Sequence, residues 1–247
     1  MKILAIDTAT EACSAALYIG DETIVSTATS TEKKNIVSRY QLAPREHSRL
    51  ILKMIDEVLV QADQSVSDLD AIAFGRGPGS FMGLRIAAGV VQGIAFAHDL
   101  PVIPVSTLKA IALRAYETST AKNVLATIDA RMDEVYWAAY SLQQKEWQLL
   151  GEERVISPEK LASINVAEIS EEGWIGAGNG WKNYKDRLLS AINTPQLKLL
   201  PDCLPAAESI ARLASEDFLT GKLVSAAEAI PVYLRNDVAR KASPVVL

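Results

Sequence analysis

Residues that bind metals through nitrogen or sulfur are scarce in this 247-residue sequence, which has two histidines and two cysteines. Cys13 and Cys203 are far apart and too few for a disulfide framework or a zinc site, so we predict two free thiols in a reducing compartment. Neither His47 nor His98 has a second histidine or a cysteine at the spacing of a metal-binding pair. The composition therefore excludes a histidine-based metal site, and we expect no cofactor.

An excess of basic residues and a long apolar run are also missing. The sequence has 25 Lys and Arg against 30 Asp and Glu, a formal net charge of −5. Because affinity for a phosphate backbone comes mainly from Lys and Arg, a free-standing nucleic-acid binder is disfavoured. The most apolar long stretch, residues 84–97, is too short and too interrupted to span a bilayer, and the N-terminus does not resemble a signal peptide. We predict a cytoplasmic protein without a membrane partner.

The first half of the chain has the pattern of three strands followed by alternating helices and strands. An apolar strand over residues 3–6 ends at Asp7, and strands over residues 13–19 and 22–29 flank a turn at Gly20-Asp21. Apolar residues at helical spacing predict a helix over residues 48–62. We then predict a strand over residues 71–74, a glycine-rich turn, a helix through about residue 98, a strand over residues 101–105 and a helix over residues 107–117.

The second half repeats this order. A strand over residues 123–128 again ends at an aspartate, Asp129, and strands over residues 135–142 and 147–155 follow. We predict helical segments over residues 158–164, 183–192 and 206–219, with strands over residues 174–175 and 197–200. Two βββαβαβα units are typical of a duplicated actin-like (ASKHA) α/β fold, with lobes over residues 1–109 and 110–247. The alternative is one doubly wound α/β domain with an antiparallel extension.

In an actin-like fold the first hairpin of each lobe holds nucleotide phosphates in the cleft between the lobes. Glu11 places a carboxylate in the first of these loops, and the second has three carboxylates around one arginine, which does not suit a polyphosphate. We therefore interpret both hairpins, together with a glycine-rich turn in the second lobe, as degenerate nucleotide-cleft loops, with ordinary structural turns as the alternative. The candidate residues of these three loops are Asp7, Thr8, Thr10, Ser14, Asp129, Arg131, Gly178, Asn179 and Gly180.

Two helices of the first lobe have faces suited to a partner. The helix over residues 48–62 has a wide apolar stripe, and two glycines four residues apart leave one face of the next helix nearly flat. The candidate interface residues are Leu50, Ile51, Met54, Ile55, Val58, Arg85, Gly89, Val90, Gly93 and Ile94. The alternative is that both helices only cover their own sheet. If these faces form a dimer interface, we predict that Met54→Asp or Val90→Asp breaks dimerisation while the monomer stays folded.

The glycine-rich turn before the second helix can be interpreted in two ways. Its glycines permit a sharp strand-to-helix connection, and the helix start presents free N–H groups, so it is either an anion site or a tight turn that seats the helix. No lysine follows the glycines, which excludes a Walker motif.

Several segments together resemble the signature of the TsaB (YeaZ) family, in the expected order over essentially the whole chain. They are residues 6–8 (Ile-Asp-Thr), 77–85 (Gly-Pro-Gly-Ser-Phe-Met-Gly-Leu-Arg), 129–136 (Asp-Ala-Arg-Met-Asp-Glu-Val-Tyr) and 231–235 (Pro-Val-Tyr-Leu-Arg). Met82 stands where the family more often has threonine, so a hydroxyl is missing from the turn.

The resemblance implies a non-catalytic subunit. It would support a TsaD-type catalytic subunit, with a TsaE-type ATPase, in transferring threonylcarbamoyl to N6 of the adenosine next to the anticodon in tRNA. TsaD proteins bind a metal through a His-x-x-x-His pair, and Thr107 and Ile111 stand at those positions here. The resemblance also implies pairing with TsaD through helices of the N-terminal lobe, a homodimer when the chain is alone, and contact with tRNA only through the complex.

Two enzyme classes are the disfavoured alternatives. An actin-like phosphotransferase would need working phosphate loops, against which Glu11 and the acidic second hairpin count. A metallopeptidase-like hydrolase would need metal ligands that the sequence does not offer.

Overall fold

The computed structural model describes residues 1–20, 35–163 and 173–235, which form two halves of similar element order. The first half comprises β1 (Lys2–Asp7), β2 (Ala12–Ile19), β3 (Ile36–Leu42), α1 (His47–Gln61), β4 (Ala71–Gly77), α2 (Phe81–Ala97), β5 (Val102–Ser106) and α3 (Thr107–Ser119). The second half comprises β6 (Asn123–Arg131), β7 (Glu134–Gln143), β8 (Glu146–Ile156), a 3₁₀ helix (Pro158–Ser163), β9 (Trp174–Ala177), α4 (Gly180–Ile192), β10 (Lys198–Leu200) and α5 (Ala207–Leu219).

The two five-stranded sheets repeat one topology. The first has the order β3-β2-β1-β4-β5, and the second, in the equivalent direction, has β8-β7-β6-β9-β10. In each sheet the first three strands pair antiparallel, and the other two continue in parallel from the first strand of the half. This repetition confirms the predicted duplicated actin-like α/β fold.

A shared core joins the two halves. Helix α3 contacts β4 and β5 of the first sheet and β6 and β7 of the second, while α5 contacts β1 and β2 as well as α3. Small side chains such as Ala112 and Ala211 are fully buried in this core and let the helices approach both sheets closely. The predicted lobe boundary between residues 109 and 110 falls inside α3, and the division into 1–109 and 110–247 stays a prediction.

The outer face of each sheet is covered separately. Helices α1 and α2 cover the first sheet, where Ile51 and Val58 pack in one cluster with Ala87 and Val91. Helix α4 covers the second sheet, and the indole N–H of Trp181 donates to the Leu125 carbonyl oxygen at 3.0 Å. In the described parts of the chain no helix is both long and apolar enough to cross a membrane. Both cysteines are free thiols, as predicted.

The third strand of the first sheet differs from the prediction. The predicted strand over residues 22–29, and Asp21 of the predicted turn, lie outside the described residues. The observed strand is β3, in a segment for which the sequence predicted neither a strand nor a helix. It pairs with β2 alone and lies at the edge of the sheet, where polar side chains are tolerated; Arg39 for example forms an ion pair with Glu57 of α1 at 3.0 Å. The usual apolar alternation of a strand is therefore weak here.

The predicted helical segment over residues 158–164 is a 3₁₀ helix, Pro158–Ser163, and its last predicted residue lies outside the described residues. The remaining predicted elements are present with ends shifted by a few residues.

Candidate functional site

A cavity of about 1030 Å³ lies in the cleft between the lobes, large enough for a small-molecule ligand. Its walls come from the β1–β2 hairpin, the starts of α1 and α2, the β6–β7 hairpin, the β9–α4 turn and the segment over residues 232–235. The cavity is thus located where an actin-like fold places its ligand. Of the predicted cleft residues, Thr10, Asp129, Arg131 and Asn179 line it.

Two other predicted residues of the first hairpin, Thr8 and Ser14, form hydrogen bonds to the starts of helices. The buried hydroxyl of Thr8 donates to the Gly83 carbonyl oxygen in the first turn of α2, at 2.7 Å. The buried hydroxyl of Ser14 accepts from the N–H of Ala207 at the start of α5, at 2.9 Å. Both side chains therefore hold a helix against the hairpin, and the structure does not place them in the cavity wall.

Asp7 lies fully buried below the cleft. Its Oδ1 accepts from the Ala9 N–H at 3.2 Å, and its Oδ2 has no hydrogen-bond partner among the described residues. Burial raises the pKa of Asp7 to about 7, against the opposite influence of the Ala9 N–H. A Cβ at residue 75 would overlap this carboxyl group, so glycine at 75 leaves room for it. Asp7 is therefore a buried titrating group and not an exposed phosphate or metal contact.

The buried carboxyl group makes stability depend on pH. The pKa of Asp7 is about 7 in the folded protein and near 3.8 in the unfolded chain, so the folded state holds the proton more tightly. The free energy of unfolding therefore falls as pH rises from about 4 to about 7, and this contribution is level above pH 7. The Asp7→Asn side chain stays neutral at every pH, so its free energy of unfolding does not fall in this way. The difference in free energy of unfolding between Asp7→Asn and the parent should therefore grow with pH, to at most about 4 kcal/mol.

Urea unfolding of both proteins at pH 5 and pH 8 measures this difference. An Asp7→Asn advantage that is the same at both pH values would show that Asp7 does not titrate between them.

A polar bridge joins the two lobes across the cleft. The side-chain amide of Asn179 donates to Glu11 Oε2 at 2.9 Å, and its Oδ1 accepts from the Asp129 N–H at 2.9 Å. The neighbouring Gly178 and Gly180 allow this turn to approach the middle of β6, because a Cβ at either would overlap Thr127. The space between the two hairpins is thus bridged by an amide that is already bonded on both sides.

The second hairpin is stabilised from the C-terminal segment. Its turn residues Met132 and Asp133 have φ of 57° and 61°, in the left-handed region that is unfavourable without glycine. The guanidinium of Arg235 donates to the Ala130 carbonyl oxygen at 2.9 Å and to the Glu134 carboxylate. Arg131, one of the predicted cleft-loop residues, is exposed and pairs with Asp129 at 3.3 Å. Sequence reasoning assigned no role to Arg235, although it ends one of the family-like motifs.

The positions compared with the TsaD metal pair are both buried. The Thr107 hydroxyl accepts from the Gly77 N–H at 3.2 Å, and Ile111 packs in the shared core. Within residues 1–20, 35–163 and 173–235 no three His, Cys, Asp or Glu side chains are grouped so that they could hold a metal ion. Thr107 instead connects α3 to the glycine-rich turn.

The structure divides the predicted interface residues. Ile51, Met54, Ile55 and Val58 are buried in the monomer against the first sheet, and Leu50 is half-buried. Two apolar side chains of α1 that were not predicted as interface residues are exposed instead, Leu52 and Val60. They lie outside the apolar stripe, so the helical spacing did not point to them.

Helix α2 keeps much of its predicted face open. Gly89 and Gly93 are exposed, with nothing within 4 Å of an added Cβ, and Val90 and Ile94 are half-buried. Arg85 lies in the cavity wall, with its guanidinium 3.8 Å from the centre of the Phe81 ring.

The fold and the cleft define an actin-like protein whose two first-strand hairpins are joined across the cleft by hydrogen bonds of one side chain. The family model described as "TsaD: tRNA N6-adenosine threonylcarbamoyltransferase" matches residues 25–243. The "tRNA threonylcarbamoyladenosine biosynthesis protein TsaB" of Escherichia coli strain K12 is 42% identical over 245 residues, covering 99% of both chains. The protein of the same name from Haemophilus influenzae is 39% identical over 253 residues, covering 99% of this chain and 98% of the relative.

A solved structure agrees with these relatives. YeaZ from Pseudomonas aeruginosa has a TM-score of 0.81 and 44% sequence identity, and the match covers 94% of this chain and 99% of that one. The chain belongs to the TsaB (YeaZ) family.

Proposed function

We propose that this chain is a non-catalytic subunit that binds and supports a TsaD-type catalytic subunit, together with a TsaE-type ATPase. The complex would transfer threonylcarbamoyl to N6 of the adenosine next to the anticodon in tRNA. The name shared by the Escherichia coli and Haemophilus influenzae relatives, "tRNA threonylcarbamoyladenosine biosynthesis protein TsaB", supports a role in making this nucleoside.

The observation that carries the proposal is the bridge from Glu11 through Asn179 to Asp129. A catalytic actin-like cleft needs hydrogen-bond donors directed at phosphate between its hairpins. Here that space contains a carboxylate from each lobe, and the Asn179 amide is hydrogen-bonded to both loops. Such an arrangement supports a protein that keeps the fold of a nucleotide-binding enzyme for assembly and leaves the transfer chemistry to its partner.

The surface for the partner is the α1–α2 face, which we define as the outward sides of α1 and α2. Its exposed members are Leu52, Val60, Met82, Gly89, Gly93 and Phe96. Glycines in the middle of α2 leave its backbone open, so a partner helix can approach closely. The same face would join two copies of the chain when TsaD is absent. With a net charge of −5, we assign contact with tRNA to the assembled complex.

Reconstitution on an unmodified tRNA tests the proposal. A TsaC-type synthase, TsaD and TsaE are combined with and without this chain, and threonylcarbamoyladenosine is quantified by mass spectrometry after nuclease digestion. We expect product only when the chain is added. We also expect Asn179→Ala to retain activity, because the bridge has no catalytic role in the proposal. Product formation without the chain, or its loss in a folded Asn179→Ala variant that still binds TsaD, would contradict the proposed role.

A further inference from the structure

One wall of the cleft collects positive groups that lack acidic partners. Arg45, in the turn before α1, and Arg85 of α2 both line the cavity. Neither makes an ion pair within the described parts of the chain: Arg85 Nε donates to the neutral Tyr233 hydroxyl at 3.3 Å, and its guanidinium lies over Phe81. Two guanidinium groups facing one cavity thus keep donors for a further acceptor.

Helix α2 begins in the same wall. Ser80 and Phe81 line the cavity, and the Ser80 carbonyl and hydroxyl oxygens accept from the N–H groups of Leu84 and Gly83. The N–H groups of Phe81 and Met82 make no hydrogen bond to any of the residues described. The positive end of a 17-residue helix therefore lies beside the two arginines, and such an end favours an anion.

His47 is an independent indication of a ligand here. Its side chain lines the same cavity, the residue is only 8% exposed, and its Nε2 has no hydrogen-bond partner in the described structure. Buried polar atoms are nearly always hydrogen-bonded, because leaving one unpaired costs free energy. Nε2 itself is closed off from solvent in this conformation, so a ligand in the cavity supplies the missing partner only when the imidazole ring rotates toward it.

The acidic side chains of the cavity are already engaged. Glu11 accepts from the Asn179 amide, and Asp129 accepts from Arg131 and from Asn183 at 2.8 Å. Their oxygens therefore already have hydrogen-bond donors, and Arg131 offsets part of the Asp129 charge. The wall with free donors is the one formed by Arg45, His47 and the start of α2.

We propose that this wall, formed by Arg45, His47, Arg85 and the first turn of α2, is a binding site for a phosphate group. Guanidinium groups and helix N–H groups both match the oxygens of a phosphate, and an imidazole adds one more hydrogen bond. The site uses neither first-strand hairpin, so it is compatible with the bridge that closes the space between them. It concerns the isolated chain and does not depend on the proposed role in a complex.

The phosphate can be a free ion or part of a nucleotide. The rings of Phe81 and Tyr233, with centres 5.3 Å apart, stand next to Arg85 at the cavity and offer a surface on which a base can stack. Inorganic phosphate and adenosine monophosphate as separate probes distinguish these sources.

NMR titration of the full-length chain tests the site, because its two histidines are placed as probe and control. His47 lies in the wall, whereas His98 is exposed at the far end of α2, about 25 Å away by helix length. At constant ionic strength, we expect saturable shifts in the His47 ring and in the Phe81 and Met82 amides, with the His98 ring unchanged. Tighter binding of the nucleotide indicates that the base contributes; equal binding indicates a site for phosphate alone.

Arg45→Asn removes one guanidinium at an exposed residue, and asparagine tolerates its φ of 68°. We expect affinity for phosphate to fall about tenfold or more. Lys53→Gln removes the same charge from an exposed site on α1 outside the cavity and should leave affinity unchanged. Shifts that do not saturate, equal shifts at both histidines, or unchanged affinity in Arg45→Asn mean an adventitious ion only, and overturn the proposal.

Discussion

Gly83→Ala is expected to destabilise the protein by about 3 kcal/mol or more, in the range of mutations that force backbone to move. Gly83 lies in the first turn of α2, and a Cβ there would overlap the backbone carbonyl oxygen of Thr8. The Thr8 hydroxyl donates to the Gly83 carbonyl oxygen, so helix and hairpin are fixed in contact. Because β1 is paired on both sides, by β2 and β4, the hairpin cannot yield without disturbing the sheet. Urea unfolding measures the loss.

Gly89→Ala is the matched control on the same helix. An added Cβ at residue 89 meets nothing within 4 Å, so this substitution should be neutral or stabilising by up to about 1 kcal/mol through helix propensity. Equal stability of the two variants would mean that α2 is not seated tightly on the first hairpin.

The close contact at Gly83 also explains why α2 matters for both proposals. The helix begins in the cavity wall at Ser80, is fixed to the hairpin at Gly83, and presents its open face from Gly89 onward. A displacement of its first turn would therefore change the phosphate site and the partner surface together. Gly83→Ala should weaken phosphate binding as well as stability, a combined loss that Gly89→Ala should not show.

The duplicated architecture was predictable from the sequence because it rests on local patterns. In the sequence each half starts with an apolar run that leads into an aspartate, Asp7 or Asp129, and the order of elements then repeats. Edge strands are harder to predict, since a strand with one neighbour can carry polar residues on much of its length. β3, with Ser38, Arg39 and Gln41, is such a strand and was missed.

The candidate site was less predictable because contacts between distant residues decide it. Ser14 and Thr10 have similar side chains in one hairpin, yet Ser14 accepts from Ala207, 193 residues away, and Thr10 lines the cavity. Arg235 reaches the second hairpin from 105 residues further along the chain. Asp7 ends the strand as predicted, but only the packing around Gly75 shows that its carboxyl group is buried. None of these contacts has a signal in local spacing.

The α1–α2 face illustrates a second limit. An apolar stripe at helical spacing shows that one side of a helix is covered, but not whether its own sheet or a partner covers it. On α1 the stripe of Ile51, Met54 and Val58 covers the first sheet. The prediction that Met54→Asp leaves a folded monomer is corrected on this ground, because Met54 is only 6% exposed.

Aspartate substitutions at Met54 and Gly93 are therefore expected to have different consequences. Met54→Asp places an unpaired carboxylate in the core between α1 and the first sheet, which should cost about 4 kcal/mol or more and unfold much of the protein. Gly93→Asp adds an exposed charge in open space, so the monomer should keep its stability within about 1 kcal/mol. Gly93→Asp should instead weaken dimerisation and binding to TsaD, because a charged side chain would prevent a partner helix from approaching the α1–α2 face closely.

Sedimentation velocity and TsaD pull-down, alongside circular dichroism, separate these outcomes. Gly93→Asp should be a folded monomer that binds TsaD at least tenfold more weakly, a loss of about 1.4 kcal/mol or more. Ser190→Asp, on the exposed side of α4, adds the same charge away from the face and should behave as the parent. If Gly93→Asp still dimerised and bound TsaD like the parent, the partner surface would lie elsewhere. The edge strand β3, where Tyr40 and Leu42 are exposed, would then be the next location to test.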